Sequence, residues 1–360
     1  MHLPRLDPIT RKRFQRFRRI RHGYWSLIIL AVLTLLSLFA EYLANDRAIL
    51  VRYNGRFYWP TWRFIPMETF GQEDEWGFSD AETDYLALRD SWRAAGADNW
   101  LIMPPIPWDP FENDFWYTEQ RGEFPPNPPD FARGHYLGTD SQGRDVAARL
   151  LYGFRISMLF ALALVLAGQA LGTVIGSLQG YLGGVFDISS QRFIEIWSSL
   201  PTLYIIIIMA TFFTPSFWML LGIMVLFEWI HITYFMRTEM YREKAREYCL
   251  AARSYGASHA RIIFRHLLPN CLTPLVTFTP FAMVGAIFAL TSLDFLGYGL
   301  PPPTPSWGEL LDQSLQVENR GKLWMVLSPF AALTITLILV TFVGEAVREA
   351  FDPKQYARYE

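Results

Sequence analysis

The sequence has little cysteine and lacks the common motifs of catalysis and metal binding. Only two of its 360 residues are cysteine, Cys249 and Cys271, and their 22-residue separation matches no metal-ligand spacing. The six histidines are scattered without an H-E-x-x-H pattern, and no G-x-S-x-G or P-loop motif occurs. The sequence therefore predicts no catalytic residue, no metal site and no cofactor bound by this chain.

Charge is also scarce, and its placement excludes an ordinary soluble domain. Charged residues make up 18% of the chain and the formal net charge is -2, so we expect no nucleic-acid partner. Five intervals contain no charged residue: residues 23–40, 156–186, 196–227, 267–293 and 323–344. Each is long enough, or nearly so, to cross a hydrocarbon core, which takes ~20 apolar residues. These intervals predict an all-α membrane protein.

The number of spans follows from a turn signal in the third interval. That interval is 32 residues long and contains "TFFTPSFW" at residues 211–218, so it supplies parts of two spans. We predict six transmembrane helices, at residues 24–44, 155–178, 191–213, 217–236, 272–293 and 323–345. The first is expected to be an uncleaved anchor, because its apolar run exceeds the ~7 to 15 residues of a signal peptide and lacks an A-x-A-like site.

Basic residues predict the orientation of the chain. Residues 1–23 hold eight Lys or Arg against one acidic residue, which places the N-terminus in the cytoplasm. Six spans then return the C-terminal residues 349–360 to the same side. Residues 237–265 hold seven Lys or Arg against three Glu and are also predicted to be cytoplasmic. Because that compartment is reducing, we expect no disulfide between the two cysteines.

Residues 45–134 form a separate acidic block that this orientation places outside the cytoplasm. Within it, residues 46–133 carry 16 acidic residues against eight Arg, together with 19 aromatic residues. Disordered segments are poor in aromatic residues, so we expect the block to fold. Its prolines argue against regular strands or long helices through residues 104–129. The block is either a contact surface for solute or partners, or a cap whose acids keep it soluble.

The next segment, residues 135–154, opens with "HYLGTDSQGRD" and becomes amphipathic toward the second span. The two glycines of this opening allow tight turns, and its acidic and basic side chains are close enough to pair. We interpret the segment as a structural elbow at the membrane surface and not as a catalytic site. Its candidate residues are Gly138, Asp140, Gly143, Arg144 and Asp145.

Four glycines recur at every fourth residue of the second span, and they are Gly168, Gly172, Gly176 and Gly180. This spacing puts all four on one helix face, where a neighbouring helix can approach closely. The neighbour is either another helix of this chain or a helix of a second chain, and the spacing does not distinguish the two.

Two ionisable residues lie inside the fourth span. Glu228 and His231 are three residues apart and therefore share one face of the helix. Charge within the membrane is costly enough to need a partner or water. The pair either lines the path of a solute or forms a local structural pair near the cytoplasmic end of the helix.

The stretch "YCLAARSYGASHARIIFRHLLPN", residues 248–270, interrupts two apolar runs with a compact pattern of its own. A short helix is predicted up to Tyr255, Gly256 can end it in the left-handed conformation, and Ser258 can cap a second helix. Pro269 is predicted to stop that second helix. The bend between the helices is rich in alanine. Such a cytoplasmic knob suits insertion into a groove of a partner.

The knob resembles the EAA loop of type I ABC importer permeases. The residues that carry the likeness are the Ala251-Ala252 pair, then Gly256, and nine residues later "HLLP". The pattern departs where the loop's first Glu is replaced by Leu250. Residues 135–157, 294–311 and 344–353 further resemble the C-type subunits of dipeptide and oligopeptide permeases. The large aromatic block resembles that of the Yej-type branch, which imports oligopeptides and peptide antibiotics of the microcin C kind.

The resemblance implies the type I importer fold, with a core at residues 155–348 and a coupling loop at residues 237–271 that docks on an ATP-binding subunit. The coupling residues it implies are Ala251, Ala252, Arg253, Gly256, Ala257, Ser258, His266 and Pro269. It also implies a multi-pass protein of the bacterial inner membrane, surrounded by lipid, whose partners are a B-type permease subunit, two ATP-binding subunits that bind ATP and Mg, and an extracytoplasmic peptide-binding protein. The alternatives are a permease of the same fold for nickel or a glycoside, and a membrane scaffold without transport.

Overall fold

A computed structural model describes residues 8–73, 77, 79–96 and 98–351. The two predicted cytoplasmic termini therefore lie partly outside the described residues, at residues 1–7 and 352–360. The helices are α1 Pro8–Arg19, α2 Arg21–Leu38, α3 Tyr85–Ala95, α4 Trp116–Arg121, α5 Val146–Leu182, α6 Gly184–Ser198, α7 Thr202–Phe212, α8 Phe217–Lys244, α9 Glu247–Ser254, α10 His259–Arg261, α11 Thr273–Phe295, α12 Trp307–Leu315 and α13 Leu323–Phe351. The strands are β1 Leu50–Tyr53, β2 Arg56–Tyr58 and β3 Trp100–Ile102.

The membrane-spanning helices agree in number with the six predicted. Within the described residues, five helices are long and apolar enough to cross a bilayer, and the pair α6 and α7, bent by 64° at its break, is the sixth if it forms one span. The prediction of one continuous helix at residues 191–213 was therefore wrong. Pro201 stands at the break, where its ring prevents a regular helix from running through it. The second span also begins earlier than predicted, because Asp145 caps α5 through the backbone N–H of Ala148 (2.7 Å).

The spans pack into one bundle around a shared apolar core. Buried side chains from α5, α8 and α11 meet in it, including Phe160, Leu164, Leu220, Ile287 and Leu290. The opposite faces of several spans remain apolar and uncovered, as on α2, where six large aliphatic side chains are between 41% and 56% exposed. An apolar outer surface of this extent fits a lipid environment.

The bundle has two ends that differ in what they carry. The insertion end holds residues 45–145, the start of α5, the end of α11, and α12. The loop end holds residues 247–270, the ends of α5 and α8, and the contact of α1 with the last turns of α13. We use "insertion end" and "loop end" for these two regions throughout.

The insertion folds around aromatic side chains and contains a small sheet, so the all-α prediction was incomplete. The strands pair antiparallel in the order β2-β1-β3. Asn54 and Gly55 connect β1 to β2, both with positive φ (49° and 78°), the backbone of a two-residue hairpin turn. The ring of Tyr53 stacks on that of Trp92 at 5.6 Å, and Phe70 lies edge-on to both. Residues 104–129 contain only one short helix, α4, as their prolines predicted.

Candidate functional site

The loop end carries the backbone turn that the sequence predicted around Gly256. Helix α9 ends at Ser254, and Gly256 adopts φ = 76°, where an L-side chain is strained. The Ala257 N–H donates to the carbonyl of Ala252 (3.1 Å) and the Gly256 N–H to that of Arg253 (3.0 Å). This pair of bonds is the Schellman ending of a helix, which satisfies its last carbonyls and turns the chain sharply.

The chain then starts a second helix, again as predicted, but ends it differently. The hydroxyl of Ser258 accepts a hydrogen bond from the Arg261 backbone N–H (3.4 Å) and so caps α10. Helix α10 continues into a π-helical turn, Ile262–Leu267, and a 3-10 turn, Leu268–Asn270. The prediction that Pro269 stops the helix was therefore wrong. Pro269 lies in the first positions of the final turn, where its missing N–H leaves no hydrogen bond unmade.

The 247–270 segment, which we call the helical loop, has an apolar inner face and an exposed outer face. Its inner residues pack against Ile232, Met236 and Met240 of α8, and they are Cys249, Ile262, Ile263, Leu267 and Cys271. On the outer face, Tyr255 is 91% exposed, Phe264 61% and Leu250 53%. An exposed group of large side chains on small-residue backbone is typical of a contact surface for another protein.

Five of the eight predicted coupling residues are exposed, as the outer face requires. Exposed are Ala251, Arg253, Gly256, Ser258 and Pro269, whereas Ala252, Ala257 and His266 are half-buried. The sequence interpretation missed Tyr255 and Phe264 as contact residues. The position of Tyr255 directly before the turn glycine was the available signal, because a side chain there projects from the tip of the bend.

Polar contacts join the helical loop and the adjoining end of α8 to α5, and join α8 to α6. Lys244, next to the loop, donates to the carbonyls of Gly180 (2.7 Å) and Tyr181 (3.2 Å) at the end of α5, and the Tyr181 hydroxyl meets Nδ1 of His259 at 2.6 Å. Nearby, the guanidinium of Arg237 binds both carboxylate oxygens of Asp187 on α6 (2.5 and 2.6 Å). A displacement of the helical loop would therefore act directly on α5 and α8, and on α6 only through its contact with α8.

The four-glycine face of α5 lies against α8 of the same chain. An added Cβ at the last of these glycines, Gly180, would stand 2.5 Å from the carbonyl oxygen of Arg237, and one at Gly172 would stand 2.2 Å from a methyl of Ile232. Gly168 and Gly176 face α8 just as closely. The close approach is thus intramolecular, and side chains larger than glycine do not fit.

The elbow at the insertion end is a cluster of buried charges. The Arg144 side chain donates to Asp140 (Nε, 2.8 Å) and to Glu309 of α12 (Nη2, 2.8 Å), and Arg149 also binds Glu309. Asp140, Arg144 and Arg149 are each at most 1% exposed. Of the two elbow carboxylates that the sequence placed close enough to pair, Arg144 binds Asp140. Charges this deeply buried are stable only when paired, so the cluster fixes α12 to the start of α5.

Asp145 instead binds a histidine. Nδ1 of His135 meets Asp145 at 2.8 Å and Nε2 meets Asp114 at 3.0 Å, while the ring stacks on Trp108 at 4.4 Å. Burial lowers the pKa of His135, but hydrogen bonds to the two carboxylates outweigh it and raise the pKa above its ordinary value. The protonated ring would donate to both carboxylates, and His135 bridges the insertion and the elbow through these two contacts.

The two elbow glycines hold the insertion close to the bundle. Gly138 has φ = 76°, and a Cβ there would lie 2.6 Å from the carbonyl oxygen of Asn127 and 2.9 Å from the ring of Trp324. A Cβ on Gly143 would stand 2.9 Å from the carbonyl oxygen of Asp114. Only glycine leaves room for these segments to meet.

Glu228 and His231 line a cavity within the bundle. The cavity has a volume of about 490 Å³ and lies between α5, α6, α7, α8 and α11. Neither side chain forms a hydrogen bond or ion pair with any described residue, so they do not form the local structural pair that was the alternative. No group of three His, Cys, Asp or Glu side chains in the described part of the chain is arranged to hold a metal ion.

Comparison with known proteins places the chain in a family. The model described as "Binding-protein-dependent transport system inner membrane component" matches residues 172–355. The peptidoglycan transport system permease protein YejE of Agrobacterium fabrum is 43% identical over 99% of this chain and 96% of its own length. The inner membrane ABC transporter permease protein YejE of Escherichia coli is 42% identical over 98% of this chain and 99% of its own length.

A less similar relative covers a smaller part of the chain. The oligopeptide transport system permease protein OppC of Lactococcus lactis is 35% identical over 62% of this chain and 77% of its own length. Among solved structures, the MetNI methionine ABC transporter covers 57% of this chain and 96% of the matched chain at 14% identity and a TM-score of 0.45, too low to add to the argument.

The chain belongs to the family of inner-membrane components of binding-protein-dependent transport systems, as its resemblance predicted. It is a multi-pass permease subunit of an ABC transporter, and this family transports and does not catalyse. Members of the family operate with ATP-binding subunits, a second permease and a substrate-binding protein.

Proposed function

We propose that this chain is the C-type permease subunit of an ATP-driven importer of oligopeptides, including peptide antibiotics of the microcin C kind. Support comes from the extent of the similarity. The two YejE permeases match 98% and 99% of the chain, insertion included, whereas the OppC permease matches 62%. The insertion therefore favours the Yej-type branch over the general oligopeptide branch.

The loop end faces the cytoplasm in this proposal, and the insertion end faces outward. Helix α1 carries six Lys or Arg at the loop end, and the last turns of α13 pack beside it. The helical loop and its flanking residues add further basic side chains on the same side. This distribution supports the orientation, because basic residues concentrate in cytoplasmic segments.

The helical loop is the observation that carries the transport mechanism. Its outer face presents Tyr255 beside the Gly256 turn with no covering group from the described chain. We propose that this face fits a groove of an ATP-binding subunit, which binds ATP and Mg, so that this chain binds neither. Closure of the ATP-binding subunits would then displace the helical loop and, through Lys244 and Tyr181, shift α5 and α8 between two arrangements.

The second permease, of B type, is proposed to pack beside the cavity. The glycine face of α5 is already occupied by α8, so it is not open to another chain. The apolar side chains of α7 remain exposed next to the cavity, including Leu203, Tyr204 and Ile208. At the insertion end, an extracytoplasmic peptide-binding protein would deliver the solute.

The test is reconstitution of this chain in liposomes with its three kinds of partner, the second permease, the ATP-binding subunits and the binding protein. Uptake is measured for a labelled tripeptide, a peptide released from peptidoglycan, a nickel salt and a glycoside. The proposal expects ATP-dependent uptake of one or both peptides. The peptidoglycan peptide is included because the Agrobacterium relative is described as a peptidoglycan transport permease. Uptake of nickel or glycoside alone would contradict the proposal, and so would ATPase activity that binding protein does not stimulate, as expected for a scaffold.

A further inference from the structure

The cavity in the bundle contains a carboxylate with no counter-charge. Glu228 is the twelfth residue of α8, about 17 Å from its start at 1.5 Å per residue, and therefore lies well inside the membrane. Its side chain is half-buried, and a Cβ on Gly168 would stand 2.6 Å from its Cγ. The aliphatic part of the Glu228 side chain thus packs directly on α5, because Gly168 has no side chain to occupy that space.

None of the described residues that line the cavity is a Lys or an Arg. The sequence has no Lys or Arg in residues 156–186, 196–227 or 267–293, which supply the α5, α7 and α11 walls of the cavity. On α8 itself, the nearest ionisable side chain is His231, and the nearest Arg is Arg237, which is bound to Asp187. Because an uncompensated charge inside a membrane is costly, Glu228 is stable as a carboxylate there only when a cation from outside this chain pairs with it.

The walls of the cavity suit an organic cation. Four phenylalanine rings line it, and they are Phe227, Phe235, Phe278 and Phe281. Ring faces attract ammonium groups, most strongly where water is excluded. Gln169, Ser198 and Thr202 add neutral polar groups. Aromatic rings around one carboxylate are the chemistry that recognises an amine, whereas a bare metal cation would need several oxygen ligands.

The size of the cavity limits how much of a ligand it holds. Its volume of about 490 Å³ lies within the range of small-ligand sites, about 300 to 1,000 Å³. One end of a short peptide fits such a space, and a long peptide does not. The end that is positively charged is the amino terminus, or a lysine side chain near it.

We infer that Glu228 determines specificity in the membrane path, by binding the ammonium group of the peptide in transit. This inference rests on the proposed function and adds to it a chemical class and a residue. Under this inference the Glu228 carboxylate is needed for passage of the peptide, but not for the coupling of the helical loop to ATP hydrolysis. Transport and ATP hydrolysis are therefore expected to separate when Glu228 is neutralised.

The test compares Glu228→Gln with wild type in the complete reconstituted transporter. We expect uptake of labelled trialanine to fall about tenfold, the effect of removing one charged hydrogen-bond partner, while ATPase stimulation by peptide-loaded binding protein stays within twofold. Glu228→Asp, which keeps the charge, should recover most of the uptake. The loss should be greater for trilysine than for triglutamate. Glu195→Gln, an exposed residue of α6, is the matched control and should transport normally.

Each other outcome overturns the inference. Wild-type uptake by Glu228→Gln, or equal defects in the Asp and Gln variants, would show that the charge is not used for binding. Loss of the second permease from the purified Glu228→Gln complex would show that the carboxylate pairs with a cation of that subunit. A larger loss for triglutamate would reverse the charge preference. If wild type itself takes up no peptide, the proposed function fails as well, which distinguishes the two failures.

Discussion

The two ends of the bundle treat their polar and apolar groups in opposite ways. At the insertion end, charged side chains are buried and bound to one another, as Asp140, Arg144 and Arg149 are around Glu309. At the loop end, Tyr255 is 91% exposed and no described atom lies near the Cβ position of Gly256. The insertion end binds its charged side chains to one another, whereas the loop end leaves a large side chain exposed for contact with a partner.

This difference suggests that the insertion end stays fixed during transport and that the loop end moves. A network of buried charges is expensive to break, so the insertion end is expected to keep one geometry during transport. The helical loop is fixed on its inner face only, and its outer face gains by contact with another protein. The cavity that contains Glu228 lies between the insertion end, which is expected to stay fixed, and the loop end, which is expected to be displaced.

The largest expected effect comes from breaking the insertion end. Arg149→Ala would leave Glu309 without one of its two guanidinium partners and free the carbonyl of Pro110, which Arg149 binds at 2.9 Å. Removing one member of a buried charge network costs about 3 to 5 kcal/mol of the free energy of unfolding. Thermal unfolding of the purified chain in detergent would measure the loss. An unchanged unfolding temperature would show that the buried charge cluster does not stabilise the fold.

The loop end is tested next, by Gly256→Trp. The left-handed backbone at this position disfavours every L-residue, and the indole would occupy the space proposed for the ATP-binding subunit. We expect peptide uptake to fall more than tenfold while the chain still inserts, and ATP hydrolysis to continue uncoupled from transport.

The matched control is Gly321→Trp, at the insertion end. Gly321 has φ = 88° and equally open surroundings, so the backbone strain is the same and only the location differs. The control should transport at least half as fast as wild type. Normal uptake in Gly256→Trp, or an equal defect in Gly321→Trp, would remove the distinction between the two ends.

A smaller, pH-dependent effect is expected at His135. Because its pKa in the folded chain is raised above 6.5, the stability from its protonated ring is complete below pH 6.5 and is lost as pH rises through the folded pKa. For Asp114, burial opposes ionisation, but hydrogen bonds from His135 and Arg133 lower the pKa overall, so its contribution disappears at acid pH instead. The unfolding temperature should therefore decline on the alkaline side.

His135→Gln provides the comparison for this pH effect. The variant cannot lose a ring proton, so its unfolding temperature should be lower than that of wild type at pH 6 and nearly flat from pH 6 to 9. The same alkaline decline in both proteins would show that another group titrates.

The smallest effect is expected for a salt bridge on the outer surface. Arg192 and Glu195 of α6 pair at 2.6 Å, but their side chains are 72% and 52% exposed. Such pairs contribute about 0.5 kcal/mol or less, because water and salt screen them. Arg192→Ala should therefore leave the unfolding temperature almost unchanged, in contrast to Arg149→Ala. If Arg192→Ala and Arg149→Ala lowered the unfolding temperature equally, burial would not determine how much these ion pairs stabilise the fold.

Features that depend on neighbouring residues in the sequence were predictable. The six spans follow from charge-free runs, and the turn at Gly256 follows from a helix that meets a glycine and a serine cap. Two further features had a local signal that the sequence interpretation did not use. These are the hairpin at Asn54-Gly55, whose residue pair is typical of a two-residue turn, and the break at Pro201 inside an apolar run.

Features that depend on distant residues were not predictable from one sequence. Arg149 and Glu309 are 160 positions apart, and nothing in either segment indicates which carboxylate the guanidinium binds. The same holds for His135, which meets Asp114 across 21 residues and also binds Asp145. The glycine face of α5 was recognised, but its neighbour α8 became known only from the packing.

Cross-linking from the tip of the helical loop is the most direct test of the central claim that the loop end docks on the ATP-binding subunit. The native thiols should not interfere, because Cys249 and Cys271 are 4% and 0% exposed and burial raises the pKa of the Cys271 thiol to about 12. A cysteine at Tyr255 is predicted to cross-link to the ATP-binding subunit in membranes, whereas one at Leu315, 64% exposed at the insertion end, is not. Cross-linking at Leu315 and none at Tyr255 would contradict the account.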